Sequence, residues 1–241
     1  MTKVTDVLNR AARECSVTAP SSWITATNTT VKELRDDFLL EAVDELQQRI
    51  DWASPVGKTQ TISGDGSESY SLNSNFIRLT RDQYAVYETA NVRRFAVPVT
   101  TDGEWEYLSD IGTGAGSRFY KIEGYEGNFT ISLYPNPASG ESLTVSYVSD
   151  VWKKSSGGTE GNTFSDADDV VLYPRRLLEL GIVWRFRKRK GLPYADVLAE
   201  YEARVARASN NNRGTTRIDF GGGSRPRTPY DIPVPDFIPA S

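Results

Sequence analysis

Apolar residues follow two different periods along this chain, and the switches between them divide it into parts. Between positions 3 and 15, Val4, Val7, Leu8, Ala11, Ala12 and Cys15 recur at helical spacing, which predicts a short amphipathic helix. A Ser/Thr-rich loop with Pro20 follows over 16–29 and holds Trp23 and Ile24. Thr30-Val31-Lys32-Glu33 is a capping-box pattern ahead of an apolar run. Leu34, Phe38, Leu39, Val43, Leu46 and Ile50 then mark the buried stripe of a long helix reaching about Trp52, ended by Pro55 and Gly57. Asp36, Asp37, Glu41, Asp44 and Glu45 make its other side acidic.

From Lys58 to Asp150 the period drops to two. Phe129-Thr130-Ile131-Ser132-Leu133 and Leu143-Thr144-Val145-Ser146-Tyr147 alternate cleanly across the Pro135–Gly140 loop, which predicts a hairpin with one buried face. Residues 95–99 and 119–122 read as further strands. Residues 58–62 and 68–72 are expected to pair across the Gly64-Asp65-Gly66 turn. Residues 76–90 fit a strand or a short helix. Together these predict a small antiparallel sandwich or barrel.

The helical period returns after Asp166. Val170 to Lys190 reads as a helix with Pro174 in its first turn or at a kink, and Leu177, Leu178, Ile182, Trp184 and Phe186 give it apolar mass. Arg185, Arg187, Lys188, Arg189 and Lys190 crowd its end before Gly191 and Pro193, a full stop signal. A last helix runs from Pro193 to Ala208, where Tyr194, Leu198, Tyr201, Val205 and Ala208 form a stripe suited to packing on another helix. Beyond Asn210 the chain becomes Gly- and Pro-rich. Pro226, Pro229, Pro233, Pro235 and Pro239 forbid a helix or central strand, and Tyr230, Ile232, Val234, Phe237 and Ile238 lie between them. That pattern predicts an extended arm laid in a groove on another protein.

The predicted fold class is α+β. N- and C-terminal helices form a helical bundle, an antiparallel β-sandwich or barrel is inserted in it, and an extended Pro-rich arm ends the chain. The expected boundaries are 1–57, 58–164, 165–209 and 210–241.

Composition removes several chemistries. The 241 residues contain no histidine and one cysteine, which excludes an intrachain disulfide, Ser-His-Asp and Cys-His catalysis, and ordinary zinc sites. A net charge of −4 does not advertise nucleic-acid binding. No long apolar run predicts a membrane span, and the charged N-terminus lacks the apolar stretch of a signal peptide, so synthesis and retention in a cytoplasm are expected. Gly57-Lys58-Thr59 resembles the end of a phosphate loop, but Trp52 stands where the first glycine belongs. Gly112, Gly114 and Gly116 lack dinucleotide spacing and read as a flexible loop tip, or else as an interaction loop. Asp166, Asp168 and Asp169 suit helix capping better than cation binding. Glu104, Glu106, Asp110, Glu123 and Glu126 include a possible glycosidase pair, and Trp105, Tyr107, Tyr120 and Tyr125 a possible sugar platform; exposed loop carboxylates and strand aromatics are the plainer reading. The basic end 185–190 reads first as a solvated helix end, then as a contact for an acidic surface such as 36–45 of another copy, and third as a nucleic-acid contact.

The order of these elements resembles the head-to-tail adaptor (connector) proteins of tailed bacteriophages. The resemblance is carried by Ile131-Ser132-Leu133-Tyr134-Pro135-Asn136-Pro137 leading to Leu143–Tyr147. A second block is Leu177-Leu178-Glu179-Leu180-Gly181-Ile182-Val183-Trp184-Arg185, continuing through Lys190–Tyr194 to Glu200-Tyr201-Glu202. It implies a structural virion protein at the head–tail interface, without catalytic residues, cofactor or metal. It also implies a homo-oligomeric ring, commonly a dodecamer, under the portal protein, through which DNA passes without sequence-specific contact. A downstream tail or nozzle protein would dock below. In that picture Tyr230, Ile232, Pro233, Val234, Pro235, Phe237 and Ile238 bind the portal or a neighbour. Asp37, Glu41, Asp44, Glu45, Arg185, Arg187, Lys188 and Arg189 contact adjacent subunits, and Gly112, Gly114 and Gly116 form a tail-side loop. The alternatives are another neck or tail protein (stopper or terminator), a carboxylate-based cell-wall hydrolase, or a glycan-binding module.

Overall fold

The computed structural model describes residues 2–53, 56–81, 84–111, 118–125 and 127–212. The arm residues from Tyr230 to Ile238 and the loop glycines Gly112, Gly114 and Gly116 lie outside them.

Helix α1 (Val4–Glu14) buries Val4, Val7, Leu8, Ala11 and Ala12, the face its spacing predicts. The next helix starts earlier than its capping box suggests. Asn28 is the N-cap, its side chain accepting from the Thr30 and Val31 amides, and α2 (Thr29–Lys32) runs through a π-helical segment (Glu33–Phe38) into α3 (Leu39–Arg49). Asn caps as well as Thr does, and here it comes first along the chain. The helix also stops short of Trp52. Ile50 is already extended, and the Trp52 indole turns back to donate to the Leu46 carbonyl at 3.0 Å.

Helix α5 (Arg175–Arg189) begins after Pro174, not at Val170. Proline disfavours helical backbone in the residue before it. Val170–Val171 is instead a short strand, β11, in a three-stranded sheet with β9 (Lys153–Lys154) and β10 (Glu160–Gly161). Lys3 bridges to Val170, and the Val4 amide donates to the Asp169 carbonyl at 2.8 Å, so the start of α1 is pinned to the start of the C-terminal region. Helix α6 (Ala195–Asn212) buries Tyr201 and Val205 against α5. One hydrophobic cluster takes in α1, α2, α3, α5 and α6 together with Trp152, Val171 and Tyr173. At Gly181 helices α3 and α5 come close: a Cβ there would lie 2.8 Å from the Ala42 Cβ.

The intervening region folds as an eight-stranded sheet that curls nearly into a barrel. It comprises β1 (Gly57–Ser63), β2 (Ser69–Ser71), β3 (Phe76–Leu79), β4 (Val86–Glu88), β5 (Asn91–Pro98), β6 (Arg118–Tyr125), β7 (Asn128–Tyr134) and β8 (Ser142–Ser149). Their order is β1-β8-β4-β5-β6-β7-β2, with β3 also on β8. Three expectations are corrected. The 129–133 and 143–147 runs are strands but not a hairpin: β7 pairs with β6 and β2, while β8 pairs with β1, β3 and β4. Ile131 and Leu133 meet Leu143, Val145 and Tyr147 in a second core cluster instead of across a ladder. Alternation fixes which side of a strand is buried but leaves its neighbour open. Second, β1 and β2 do not pair across Gly64-Asp65-Gly66. Gln60 bridges the seam between them, donating to the Ser71 carbonyl at 2.9 Å and accepting from the Asn73 amide at 2.8 Å. Third, the sheet is not wholly antiparallel. β5 and β6 run parallel, and the crossover a parallel pair needs is α4 (Asp102–Ile111), a helix where strand and loop are expected.

Strand β8 joins the two cores. Tyr147 points into the sheet cluster, and its neighbour Val148 points into the helical cluster.

Candidate interaction surfaces

Charged side chains on the helices are spent largely on one another. Arg185 is almost buried on α5. It donates to the Gly181 carbonyl at 2.9 Å, pairs with Glu45 and sits 3.3 Å from Glu41. Glu45 also holds Arg49, which forms a two-pronged pair with Glu202 of α6 at 2.5 and 2.8 Å. Arg189 reaches Asp37 at 3.4 Å, Lys190 reaches Glu33 at 3.0 Å and Arg187 lies 3.9 Å from Asp196. The acidic stripe and the basic helix end therefore face each other inside one chain. Of the eight charges expected between copies, Asp44 and Lys188 have no ion pair among the described residues; the Lys188 ammonium lies over the Trp184 ring at 5.7 Å.

A second network surrounds Glu179, which is 1% exposed. It accepts from Arg175 at 2.5 Å and Arg176 at 3.5 Å, with Arg10 at 3.6 Å. Arg176 continues to Glu14 at 2.6 Å and Glu200 at 3.4 Å, and Glu200 to Arg204 at 3.0 Å. The Arg176 and Arg204 guanidiniums hold the Glu200 carboxyl below its usual range, the Arg176 hydrogen bond contributing most. This network ties α1, α5 and α6 together. Its signal in the sequence is a glutamate set inside Leu177–Ile182, since a charge in an apolar run needs a partner.

Asp169 is fully buried and neither caps a helix nor joins a cation site. Burial works against its charge, yet the Ser165 and Asp166 amides and the Lys153 ammonium at 3.0 Å outweigh burial and hold its carboxyl low. Asp168 pairs with Lys3 at 2.6 Å. Among the described residues no group of three or more Asp, Glu or Cys is placed to hold a metal ion. Gly57-Lys58-Thr59 lies in β1, where Lys58 pairs with Glu160. Glu104, Glu106 and Asp110 sit on α4 and not on strand loops; Glu123 is paired with Lys121, which also holds Asp102. Glu126 lies outside the described residues. Trp105 donates to Glu68 at 3.2 Å and meets Tyr134 edge-on, whereas Tyr107 and Tyr125 are well exposed.

A groove opens where helices and sheet meet. Its volume is about 660 Å³, and its lining includes Asp51, Trp52, Thr80, Arg81, Tyr84 and Asn212. No residue expected to bind anything lies in it. Its walls come from four separate stretches of chain, so no local pattern reports it. Among the described residues no helix is long and apolar enough to cross a membrane.

Compared with known proteins, the chain matches a family model described as SU10 adaptor protein over residues 2–227. No curated protein matches it.

Proposed function

The chain belongs to the SU10 adaptor protein family, and from that premise we propose that it is a head-to-tail adaptor of a tailed-phage virion, built into a ring under the portal. The ring, of twelve copies by the resemblance, extends the DNA channel and presents a platform to the next tail or nozzle protein. The single observation that carries this reading is the family match, which spans both helical regions and the sheet between them. In the same reading Tyr230, Ile232, Pro233, Val234, Pro235, Phe237 and Ile238 engage the portal or a neighbouring subunit. Gly112, Gly114 and Gly116 face the tail. The helical charges Asp37, Glu41, Glu45, Arg185, Arg187 and Arg189 are already met within the chain, so the electrostatic part of a contact between copies falls first to Asp44 and Lys188. The protein is structural and acts by docking, and its position is in the virion.

Native mass spectrometry with the cognate portal ring tests this, using the full chain and a chain ended at Asn212, where α6 closes. The full chain is expected to load the portal at one fixed stoichiometry, and the shortened chain to load poorly or not at all. Absence of portal binding by both chains refutes the adaptor position. Equal loading by both removes the arm from the portal contact.

A further inference from the structure

The curled sheet stops short of closure at its two end strands, β1 and β2. In an antiparallel ladder the N–H and C=O groups of successive residues point to opposite edges. Val56 accepts from the Ser149 amide at 3.1 Å, and the Gly64 amide donates to the Glu141 carbonyl at 2.8 Å, on the register that pairs Gly57 with Val148. Even-numbered residues of β1 therefore bond to β8, and the N–H and C=O groups of Thr59, Thr61 and Ser63 point to the open edge. On β2 the Leu72 amide donates to the Phe129 carbonyl at 2.9 Å, and the Glu68 carbonyl accepts from the Leu133 amide at 2.8 Å. Ser69, Ser71 and Asn73 accordingly turn their backbone groups away from β7. The bonds of Gln60 to the Ser71 carbonyl and the Asn73 amide show that this edge looks at β1. Among the described residues no backbone ladder joins the two edges.

The side chains along the seam differ between its two faces. Thr59, Thr61, Ser63, Ser69 and Ser71 are exposed on the outside. Ile62 and Leu72 are buried in the core of the sheet, and Tyr70 packs on that core. Edge strands are ordinarily blunted by proline, a bulge or a free charge. Strand β1 contains no proline, and its register on β8 runs from Gly57 to Ser63 without a shift. Its one charged residue, Lys58, is paired with Glu160.

We propose that the seam between β1 and β2 is a strand-acceptor site, which takes one extended segment of another protein in which apolar and uncharged polar residues alternate. The backbone groups select this occupant. Two facing rows of N–H and C=O groups are met together by a backbone laid between them, the mode of recognition in which a peptide adds a strand to a sheet. A strand added to β1 lies about 4.8 Å from it, in the space that the Gln60 side chain now crosses. In the free chain Gln60 stands in for that strand, and an incoming backbone replaces its two bonds. The two faces set the period of the segment. Side chains turned inward meet Ile62, Tyr70 and Leu72, and those turned outward lie among the threonine and serine hydroxyls. The site belongs to the isolated chain and does not rest on the adaptor reading.

The test uses the full-length chain and three fluorescent synthetic peptides. The first is the alternating KVTVTVTK. The second, KVVVTTTK, has the same composition with the period broken. The third is KVTVTVTK with its valines N-methylated, which removes the N–H row facing one edge. Affinity is read by anisotropy, and protection of single amides by hydrogen exchange in nuclear magnetic resonance. The alternating peptide is expected to bind saturably and at least tenfold tighter than either control. It should slow exchange at Thr59, Thr61, Ser63 and Ser71 at least tenfold. Gln60→Ala removes the side chain that spans the seam and should tighten binding. Thr61→Pro removes an N–H directed at the open edge, where proline is tolerated, and should weaken binding at least tenfold. Absence of saturable binding to wild type and Gln60→Ala overturns the proposal. So do equal affinities for the three peptides, binding without protection of those amides, or unchanged binding by Thr61→Pro. If Thr61→Pro does not fold, the N-methylated peptide and the exchange pattern decide alone. Protection of the same amides on raising the concentration of the chain alone assigns the seam to another copy and also overturns it.

Discussion

Gly181→Ala is expected to destabilise the protein although it improves an intrinsic helix former. Gly181 lies mid-helix in α5, where replacing glycine by alanine ordinarily gains about 1 kcal/mol. Here the new Cβ would stand 2.8 Å from the Cβ of Ala42, and carbon pairs are most favourable at about 3.5–4.0 Å. The shortfall is therefore roughly 0.7–1.2 Å, and Ala42 is fully buried with no rotamer through which to retreat. The same Cβ would lie 3.4 Å from the Arg185 guanidinium, which is bonded to the Gly181 carbonyl and the Glu45 carboxylate. Overpacking of this kind costs about 1–3 kcal/mol. Set against the propensity gain, the net is a loss of up to about 2 kcal/mol, or a fall of up to about 8 °C in melting temperature for a chain of this size. Urea unfolding of wild type, Gly181→Ala, Ala42→Gly and the double variant closes a thermodynamic cycle. The double variant is expected to recover about 1–3 kcal/mol relative to the sum of the singles. A Gly181→Ala midpoint above wild type, or additive singles, would refute the close approach of α3 and α5.

Two further outcomes follow from buried groups. Asp169→Asn leaves Lys153 buried without its counter-ion and is expected to cost about 3 kcal/mol at pH 7. Because the folded carboxyl is held below its unfolded value of about 3.9, its stabilisation is full above that value and fades as pH falls through the folded one. The urea-midpoint gap between variant and wild type should therefore narrow below about pH 4; a gap constant from pH 7 to 2.5 contradicts this. Burial pushes the Cys15 thiol up to about 12. A maleimide should therefore label the native chain at pH 8 far more slowly than the chain in denaturant, and equal rates would show that the α1 face is open.

Where one helix face buries a continuous stripe, the sequence told the outcome. Val4 to Ala12 and Leu34 to Ile50 are buried as their spacing requires. Ends were less legible, because Asn28, Pro174 and the Trp52 indole each compete with a neighbouring signal for the same boundary. Strand pairing was least legible. Ile131 and Leu143 read as two sides of a hairpin but belong to strands that face each other across a core, and nothing in a period of two distinguishes those cases. Helix α4 hid in the same way: residues 102–111 carry a helix within the crossover that the parallel pairing of β5 and β6 requires, a constraint set by residues on either side of it.

The charged helices show why a sequence cannot separate contact within a chain from contact between chains. An acidic stripe and a basic helix end attract whether they lie on one molecule or two. Tethering decides between the two: once α3 and α5 share a core, Glu45 is always beside Arg185, and a second copy must compete with a partner that never leaves. Pairs already satisfied in this way also add little pull between free copies. On the ring reading, the lone chain then stays dispersed, and assembly depends on surfaces outside the paired set, among them Asp44, the exposed Leu40 beside it on α3 and the arm. Asp44→Lys should accordingly alter ring formation on the portal while leaving the urea midpoint of the free chain within about 0.5 kcal/mol of wild type. Glu45→Lys should do the reverse first, weakening the free chain by opposing both Arg185 and Arg49. If Asp44→Lys moves neither measurement and Glu45→Lys moves only assembly, the paired charges face another copy and the order argued here is inverted.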